Sequence, residues 1–385
     1  MQEPQNRKKT ILFLIAEDWY FWSHRLPIAR GAKNQGFDVI IATRVNHHKE
    51  HIEKEGFKLI PINIERRSKN IIKEIITIIK IIKVYRREKP DIVHHVAVKP
   101  ILYGSIAAHI TGCSCIVNAL AGLGYLFIAK GLKASAVRWM IVHAYRMAFS
   151  GKNVYGIFQN PQDYELFVNA GILKRDKAIL IRGAGVDTSK FISNPEPQGI
   201  PTVVLASRML WDKGVGEFVA AAHQLKKEGL QFRAVLVGNP DPENPASIPE
   251  KKLKSWHALD IIEWWGLRND MPDVFAQSNI IVLPSYREGL PKVLLEAASC
   301  GRAIVATDVP GCREIVRHNV NGLLVPPNNV KELADAIKIL IEEPLLRASM
   351  GARGREIVVT EFSEEIVTWQ TIELYKKMVG KNASS

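Results

Sequence analysis

The chain has 385 residues, more than a single hydrophobic core usually serves, so we expect two domains. Hydrophobic residues make up 47% and charged residues 24% of the sequence, proportions that exclude a disordered or fibrous protein. The net charge of +13 is uneven: residues 1–190 hold 30 Lys and Arg against 15 Asp and Glu, and residues 191–385 hold the other 22 against 24. This asymmetry predicts that the first half faces an anionic ligand or surface, the alternative being a merely basic exterior.

Four cysteines form neither a disulfide framework nor a paired metal motif, which indicates a reducing compartment. The apolar run near the N-terminus meets Glu17 and Asp18 too early for a signal peptide, and we interpret it as a buried strand. No stretch of 18 uncharged apolar residues occurs. We therefore expect a cytoplasmic protein, either free or peripheral on the inner face of the membrane.

Short apolar segments alternate with segments of helical period along the whole chain, which predicts parallel α/β structure. The strands expected in the first half are TILFLIA, FDVIIAT, FKLIPI, DIVHHV and SCIVNAL. The segment SNPEPQGIP then interrupts the pattern, because its prolines and glycine break a helix. The pattern resumes with TVVLAS, FRAVLVG, IIEWWG, IIVLPS, AIVAT and GLLVPP. Two doubly wound, Rossmann-like domains are predicted, with the first at residues 1–190.

Two helical segments of the basic half combine bulky apolar residues with cations. NIIKEIITIIKIIKVYRREKP contains eight isoleucines together with Lys73, Lys80, Lys83, Arg86 and Arg87. GLKASAVRWMIVHAYRMAF contains Lys133, Arg138 and Arg146. Each helix could lie on an anionic membrane, with its apolar side chains in the interface and its cations on lipid phosphates. The alternative is that the apolar faces pack on the sheet.

The segment EGLPKVLLEAASCG contains Glu288 and Glu296 with seven residues between them. It follows the strand IIVLPS, so it begins at the carboxyl end of a parallel strand, where ligands bind in doubly wound sheets. We expect a helix with Pro291 in its first turn. Unpaired backbone N–H groups would then form an anion site suited to a phosphate around Gly289, Leu290, Pro291 and Lys292.

From Pro291 to Glu296 a helix rises roughly 7 to 8 Å, which is about the reach from a diphosphate to the ribose of its nucleotide. Glu296 could therefore accept hydrogen bonds from ribose hydroxyls. Glu288, on the other side of the phosphates, could accept them from a sugar. The spacing predicts a nucleotide sugar stretched across the helix start.

A diphosphate leaving group needs more positive charge than one helix terminus supplies. The segment TVVLASRMLWDKGVGEF places Arg208 just after a strand and Lys213 in the following turn, before a helix that begins near Val215. Cations at these positions would stabilise the charge that develops on the departing diphosphate. By themselves, these two residues would be ordinary solvated charges.

EGLPKVLLE resembles the two-glutamate signature of family-4 retaining glycosyltransferases, and SRMLWDKGVGEF resembles their Arg and Lys donor loop. The likeness continues, in order over essentially the whole chain, through SHRLP, DIVHHVAVKP, GVDTSKF, DVPGCREIV and NGLLVPP. It is close to bacterial enzymes that extend undecaprenyl-diphosphate-linked sugars, of the N-acetylgalactosaminyl transferase type. The resemblance implies a GT-B fold in which two Rossmann-like domains face a central cleft.

The same resemblance assigns the domains and the acceptor site. The acceptor would bind the first domain and the donor the second, at residues 191–362, and a final helix within 363–385 would cross back to the first. His24, Arg25 and Lys99 match family positions that face the cleft, although the last two could be surface charges. Many relatives carry a histidine that helps to hold the donor sugar where this chain has Ala121. The remaining acceptor-side candidates are Asn118, Gly122, Gly124 and, more weakly, Asn160, which ends YGIFQN at a strand terminus. His94 and His95 could instead be strand residues.

The resemblance implies a retaining hexosyltransferase that needs neither metal nor cofactor. Its donor would be a nucleotide sugar, in particular a UDP-sugar carrying a hexose or N-acetylhexosamine. Its acceptor would be a polyprenyl-diphosphate-linked saccharide of a bacterial surface glycan, namely an O-antigen, a capsule or a glycoprotein glycan, at an anionic membrane surface.

Three other functions were compared with this one. A sugar-nucleotide epimerase of the same fold is the main alternative and would need its own acid and base carboxylates. A dinucleotide oxidoreductase is disfavoured because no GxGxxG opens a helix after a strand. Nucleic acid is not an expected partner because no recognised binding module is present.

Overall fold

The structure is a computed structural model that describes residues 7–65, 70–113, 115–120 and 132–382. The chain divides into two compact units, residues 1–184 with 365–385 and residues 185–364. Residues 185–190, assigned above to the first domain, belong to the second unit. Val186 forms backbone hydrogen bonds with the C-terminal end of that unit. The Val186 amide donates to the Phe362 carbonyl over 3.0 Å, and the Glu364 amide donates to the Val186 carbonyl over 3.1 Å.

Each unit is built on one parallel sheet. The strands of the first unit are β1 (Thr10–Glu17), β2 (Asp38–Arg44), β3 (Lys58–Pro61), β4 (Ile92–Val96), β5 (Cys115–Ala119), β6 (Val154–Phe158) and β7 (Ala178–Leu180). Those of the second unit are β8 (Thr202–Ala206), β9 (Arg233–Val237), β10 (Glu263–Gly266), β11 (Ile280–Leu283), β12 (Ala303–Thr307) and β13 (Gly322–Val325).

The helices connect these strands in chain order. The first unit contains α1 (Asp18–His24), α2 (Leu26–Asn34), α3 (Lys49–Lys54), α4 (Ile71–Glu88), α5 (Val98–Thr111), α6 (Leu132–Ala148) and α7 (Pro161–Asn169). The second contains α8 (Val215–Lys227), α9 (Glu250–Ala258), α10 (Met271–Ala276), α11 (Lys292–Ser299), α12 (Pro310–Arg313), α13 (Val330–Glu342) and α14 (Pro344–Glu361). The last helix is α15 (Glu364–Asn382), most of which belongs to the first unit.

Strand order reverses once in each sheet. The first sheet runs β3-β2-β1-β4-β5-β6-β7 and the second runs β10-β9-β8-β11-β12-β13. In both sheets the chain winds outward in one direction, then returns and winds in the other. The reversals lie between β1 and β4 and between β8 and β11, so each sheet has one topological switch point at its carboxyl edge.

Alternate strand residues supply the two faces of each core. In β1, Leu12 and Leu14 pack toward α4, α5, α6 and α7, whereas Ile11, Phe13 and Ile15 pack toward α1, α2 and α15. Both faces of the sheet are covered, as its continuous apolar strands require. The expected doubly wound architecture is confirmed, and every segment predicted as a strand contains one.

The structure differs from the sequence-based prediction at the segment SNPEPQGIP and at strand β7. SNPEPQGIP, expected to connect the domains, is anchored on the second unit, because Glu196 pairs with Arg347 Nε at 2.7 Å and the Pro195 carbonyl accepts from Arg302 over 3.3 Å. The short strand β7 was not predicted, since three residues carry little periodic signal. Within the described residues, no helix is long and apolar enough to cross a membrane.

Candidate active site

The switch point of the second sheet places two chemically distinct loops side by side. β8 and β11 pair in parallel, with Ile280 opposite Val203 and Ile281 opposite Val204. The loop after β8 carries Arg208 and Lys213, and the loop after β11 carries Glu288. Because parallel strands end at the same edge, residues distant in sequence meet there.

Lys213 and Glu288 form the central contact of this edge. The lysine Nζ donates to Glu288 Oε1 over 2.5 Å, and only 21% and 11% of the two side chains are exposed. Partial burial reduces solvent screening, so this pair is held more firmly than a surface pair would be. The two remaining ammonium protons can still donate to an anion.

Arg208 is held by a carboxylate that sequence reasoning missed. Its Nη1 donates to Asp241 Oδ2 over 2.7 Å, and 44% of the arginine side chain stays exposed. Asp241 lies in the loop after β9, the neighbour of β8 on the other side. The partner becomes evident only when the strand order is known. The contact orients the guanidinium at the sheet edge without burying it.

The loop between β11 and α11 is fixed by hydrogen bonds from both sides. On one side, the Tyr286 amide donates to the Asp212 carbonyl over 3.0 Å, and its hydroxyl donates to Glu217 Oε1 over 2.6 Å. On the other, the Thr307 hydroxyl donates to the Ser285 carbonyl. These contacts tie the loop to the segment that follows β8 and to the last residue of β12. This loop, which carries Glu288 and is called the glutamate loop below, is therefore preorganised.

Two glycines allow this loop to lie close to its neighbours. A Cβ on Gly214, which has φ +72°, would lie 2.1 Å from the Pro284 carbonyl oxygen. A Cβ on Gly311, in α12, would lie 2.6 Å from the Gly289 carbonyl oxygen and 2.7 Å from that of Glu288. Only hydrogen fits at either position without moving the backbone. The glycine of DVPGCREIV thus positions the glutamate loop, a role that sequence reasoning did not assign.

Helix α11 begins one residue later than expected. Its first residue is Lys292, and Pro291 is the N-cap residue rather than part of the first turn. No side chain caps this end, and its first turn contains no acidic residue. The positive end of the helix dipole thus faces the loop of Gly289 and Leu290. The Lys292 ammonium lies 3.7 Å from Glu364 Oε1.

Glu296 lies on the second turn of α11 and is partly buried. Burial raises the pKa of its carboxyl to about 7, against the lowering effect of the Lys292 and Lys190 charges, while Glu364 adds to the increase. A carboxyl with this pKa changes its charge near neutral pH. Its capacity to accept two hydrogen bonds therefore depends on pH.

In the first unit, the segment that leaves the carboxyl end of β1 leads through α1 to a buried cation. Arg25 follows α1 and is only 3% exposed. Its Nε lacks a hydrogen-bond partner, and the described residues give its guanidinium no carboxylate. It is therefore not the surface charge considered above. His24 lies beside it, with Nδ1 2.6 Å from the Ser23 hydroxyl and its ring stacked on Tyr20 at 4.3 Å.

Lys99, in the first turn of α5, is engaged within the unit. Its Nζ donates to the Glu65 carbonyl over 2.6 Å and to Glu74 Oε1 over 2.7 Å. Tyr103 donates to the other Glu74 oxygen over 2.5 Å. The ammonium therefore links α5 to the start of α4, and 21% of its side chain is exposed.

Asn118 and Asn160 have structural roles. Asn118 is completely buried in β5, where its oxygen lies 2.8 Å from His95 Nδ1 and its amide donates to the Ala148 carbonyl over 3.1 Å. Asn160 is the N-cap of α7 and accepts from the Asp163 amide over 2.8 Å. Both side chains are buried and hydrogen-bonded within the unit. Polar residues at strand ends suggest ligands, but here they satisfy internal groups.

The two histidines of β4 are also buried strand residues. His94 Nδ1 lies 2.5 Å from the Tyr375 hydroxyl, and His95 Nε2 lies 2.9 Å from that of Tyr85. Burial first, and then the Arg25 charge, hold the pKa of His94 well below its usual range.

Gly122 and Gly124, like Ala121, lie outside the described residues. Within the described ranges, no group of three or more His, Cys, Asp or Glu side chains is arranged to hold a metal ion.

Two family models match the chain, one in each unit. Residues 10–153 match the model described as "Glycosyl transferase 4-like", and residues 200–343 match "Glycosyl transferases group 1". The chain belongs to the family-4 glycosyltransferases. It is therefore a glycosyltransferase.

Curated relatives agree with this assignment. The chain is 29% identical to the N,N'-diacetylbacillosaminyl-diphospho-undecaprenol alpha-1,3-N-acetylgalactosaminyltransferase of Campylobacter jejuni, covering 92% of this chain and 95% of that protein. It is 25% identical to the UDP-Gal:alpha-D-GlcNAc-diphosphoundecaprenol alpha-1,3-galactosyltransferase of Escherichia coli, covering 77% and 78% of the two chains. Both are transferases, and neither supports the epimerase alternative.

Among solved structures, the Anabaena protein HepE in complex with UDP and glucose superposes with a TM-score of 0.76 at 19% identity, covering 95% of this chain and 99% of that one. This similarity shows the shared GT-B fold.

Gly311→Ala should lower glycosyl transfer at least about tenfold, because the new methyl group displaces the glutamate loop by overpacking. Transfer rate and thermal unfolding should be measured together. Gly380→Ala is the matched control, because a Cβ there meets open space. Equal activity in the two variants would show that close packing at Gly311 does not position the loop.

Proposed function

We propose that the protein transfers a hexose or N-acetylhexosamine from a UDP-sugar to a polyprenyl-diphosphate-linked saccharide during assembly of a bacterial surface glycan. The observation that supports this most strongly is the meeting of Lys213, Glu288 and the first turn of α11 at the second switch point. The names of the two relatives, one with a UDP-sugar donor and both with diphospho-undecaprenol acceptors, favour the same substrate classes.

The second unit would bind the donor. Lys213, Arg208 and the uncapped N–H groups of α11 lie at this edge, and all of them can donate hydrogen bonds to a diphosphate. Glu296, one turn further along α11, would accept hydrogen bonds from the ribose hydroxyls. Glu288 would accept them from the transferred sugar, with its carboxylate oriented by Lys213.

The first unit would bind the acceptor. Arg25 is a buried cation at the carboxyl edge without an ion-pair partner among the described residues. Leaving a buried charge unpaired is costly, so an anionic substrate group that docks there would relieve that cost. A diphosphate fits this requirement, and His24 lies beside the same position. The acceptor's lipid would place the enzyme peripherally on the inner face of the cell membrane.

The proposed chemistry is front-face transfer with retention and with neither metal nor cofactor. As the bond between the anomeric carbon and the diphosphate oxygen breaks, Lys213, Arg208 and the α11 amides would stabilise the charge on the leaving group. The acceptor hydroxyl forms the new bond on the same face. One oxygen of the departing diphosphate takes its proton, so no side-chain base is needed. Glu288 is assigned to the sugar hydroxyls rather than to nucleophilic attack.

Glu288→Gln and Arg208→Ala should each reduce turnover by about 100-fold to 1,000-fold, the usual cost of losing one preorganised electrostatic contact. Steady-state transfer of sugar from UDP-sugar to lipid-linked acceptor is the measurement. Glu263→Gln and Arg233→Ala are matched controls, because that ion pair, at 2.7 Å, lies at the opposite edge of the same sheet. Near-native turnover in Glu288→Gln or Arg208→Ala would refute the donor-site assignment.

UDP-sugar affinity should rise severalfold between about pH 6 and about pH 8 if ionised Glu296 accepts the ribose hydroxyls. The carboxyl has a pKa of about 7, so its charged form is lost as the pH falls through that value. Calorimetry with an intact UDP-sugar, rather than UDP, avoids titration of a terminal phosphate. Glu296→Gln should bind more weakly and lose the pH dependence. An unchanged pH profile in that variant would contradict the ribose role.

A further inference from the structure

Helix α4 exposes a row of large apolar side chains to solvent. The exposed fraction runs from 45% for Ile79 to 74% for Ile71, with Ile72, Ile75 and Ile76 between them. The helix packs on the sheet through Ile81, Val84 and Tyr85 instead. At about 100° per residue, the five exposed isoleucines point away from that buried side. The alternative considered from the sequence, that these apolar residues pack on the sheet, holds only for the minority that face inward.

Cations accompany the isoleucines. Lys73, Lys80, Lys83, Arg86 and Arg87 are all exposed on the same helix. Its two carboxylates are paired, Glu74 with Lys99 at 2.7 Å and Glu88 with Lys58 at 2.6 Å and Arg87 at 2.7 Å. Lys73 lies 3.3 Å from Glu65, and no ion pair is found for Lys80, Lys83 or Arg86 among the described residues. The outer surface of α4 is therefore apolar along its first half and positively charged along its flank and second half.

The apolar surface extends over the neighbouring helices. α4 packs against α5, and α5 packs against α6. These helices add further exposed side chains, namely Ile106, Ile110, Trp139, Met140 and Met147. We call these five side chains and the five exposed isoleucines of α4 the isoleucine face. Scattered apolar residues are ordinary on a protein surface, but a set carried by three adjoining helices marks an interaction site.

The position of this face relates it to the acceptor site. α4 follows β3 and returns toward the start of β4, so its first turn lies near the carboxyl edge of the sheet. Lys99, which follows β4 at that edge, contacts Glu74 in the first turn of α4. The exposed isoleucines occupy residues 71–79, the part of the helix nearest this edge.

We propose that the isoleucine face is the surface that docks the enzyme on a bilayer containing anionic phospholipid. The proposal rests on the proposed function, because a lipid-linked acceptor must be taken from a membrane. Apolar side chains entering the interface and flanking cations on lipid phosphates are the features of interfacial helices. A protein partner would not need the row of solvated cations beside the apolar stripe, so charge complementarity favours the lipid surface.

The test compares vesicle binding by full-length variants. Ile72→Ser, Ile75→Ser and Ile76→Ser together should weaken binding to phosphatidylcholine vesicles containing phosphatidylglycerol by about tenfold or more, measured by cosedimentation. The matched control combines Leu259→Ser, Ile339→Ser and Leu345→Ser, which are also exposed but lie in the second unit. Wild-type binding should weaken with added salt and without phosphatidylglycerol.

Equal binding by the two triple variants, or equal wild-type binding to neutral vesicles, would overturn the docking proposal. The proposal would also be overturned if the wild type is a dimer and the triple isoleucine variant is a monomer that binds vesicles as before. A second copy of the chain would then be what covers this face. UDP binding should be the same in all three proteins, which excludes misfolding. A different outcome would refute the proposed function alone: the triple isoleucine variant loses vesicle binding, but the wild type transfers sugar to no lipid-linked acceptor.

Discussion

The contact between Lys213 and Glu288 depends on the order of the strands in the second sheet. The two residues are 75 positions apart, and only the adjacency of β8 and β11 brings their loops to one edge. This ion pair fixes the orientation of the Glu288 carboxylate and leaves two protons of the Lys213 ammonium available to an anion. The supporting contacts, from Asp241 to Arg208 and from Gly311 to the glutamate loop, hold the same arrangement. A positioned cation and carboxylate beside a helix N-terminus are what a transferase acting on a nucleotide sugar requires.

The first sheet repeats this topology with different chemistry. Its switch point carries a buried arginine rather than an ion pair, and the described residues leave the Arg25 guanidinium without a carboxylate. Under the proposed function, two sheets of the same topology would bind two phosphorylated molecules in different ways. The basic excess of residues 1–190 has at least two sources, this edge and the outer surface of α4.

Local sequence patterns were sufficient to predict the strands other than β7 and the loops that carry the candidate residues. Arg208, Lys213 and Glu288 could be located because each follows a strongly apolar strand, and the carboxyl end of such a strand is a known ligand position. Asp241 and Gly311 could not be identified, because their importance depends on neighbours that are distant in sequence.

A different physical reason limited the predictions for Asn118, Asn160 and helix α4. Asn118 and Asn160 are polar residues at strand ends, and sequence does not reveal whether such a side chain serves a ligand or a buried group. Helix α4 is apolar on two opposite sides, so its periodicity alone could not indicate which isoleucines face outward.

In the proposed mechanism, cationic side chains and a helix N-terminus stabilise the leaving diphosphate without a metal, while the acceptor attacks from the same face. Proton NMR of the product's anomeric signal, followed during transfer in buffer containing EDTA, tests this most directly. We expect an undiminished rate and a product with the anomeric configuration of the donor. Inversion of that configuration, or activity that EDTA abolishes and Mg²⁺ or Mn²⁺ restores, would contradict it.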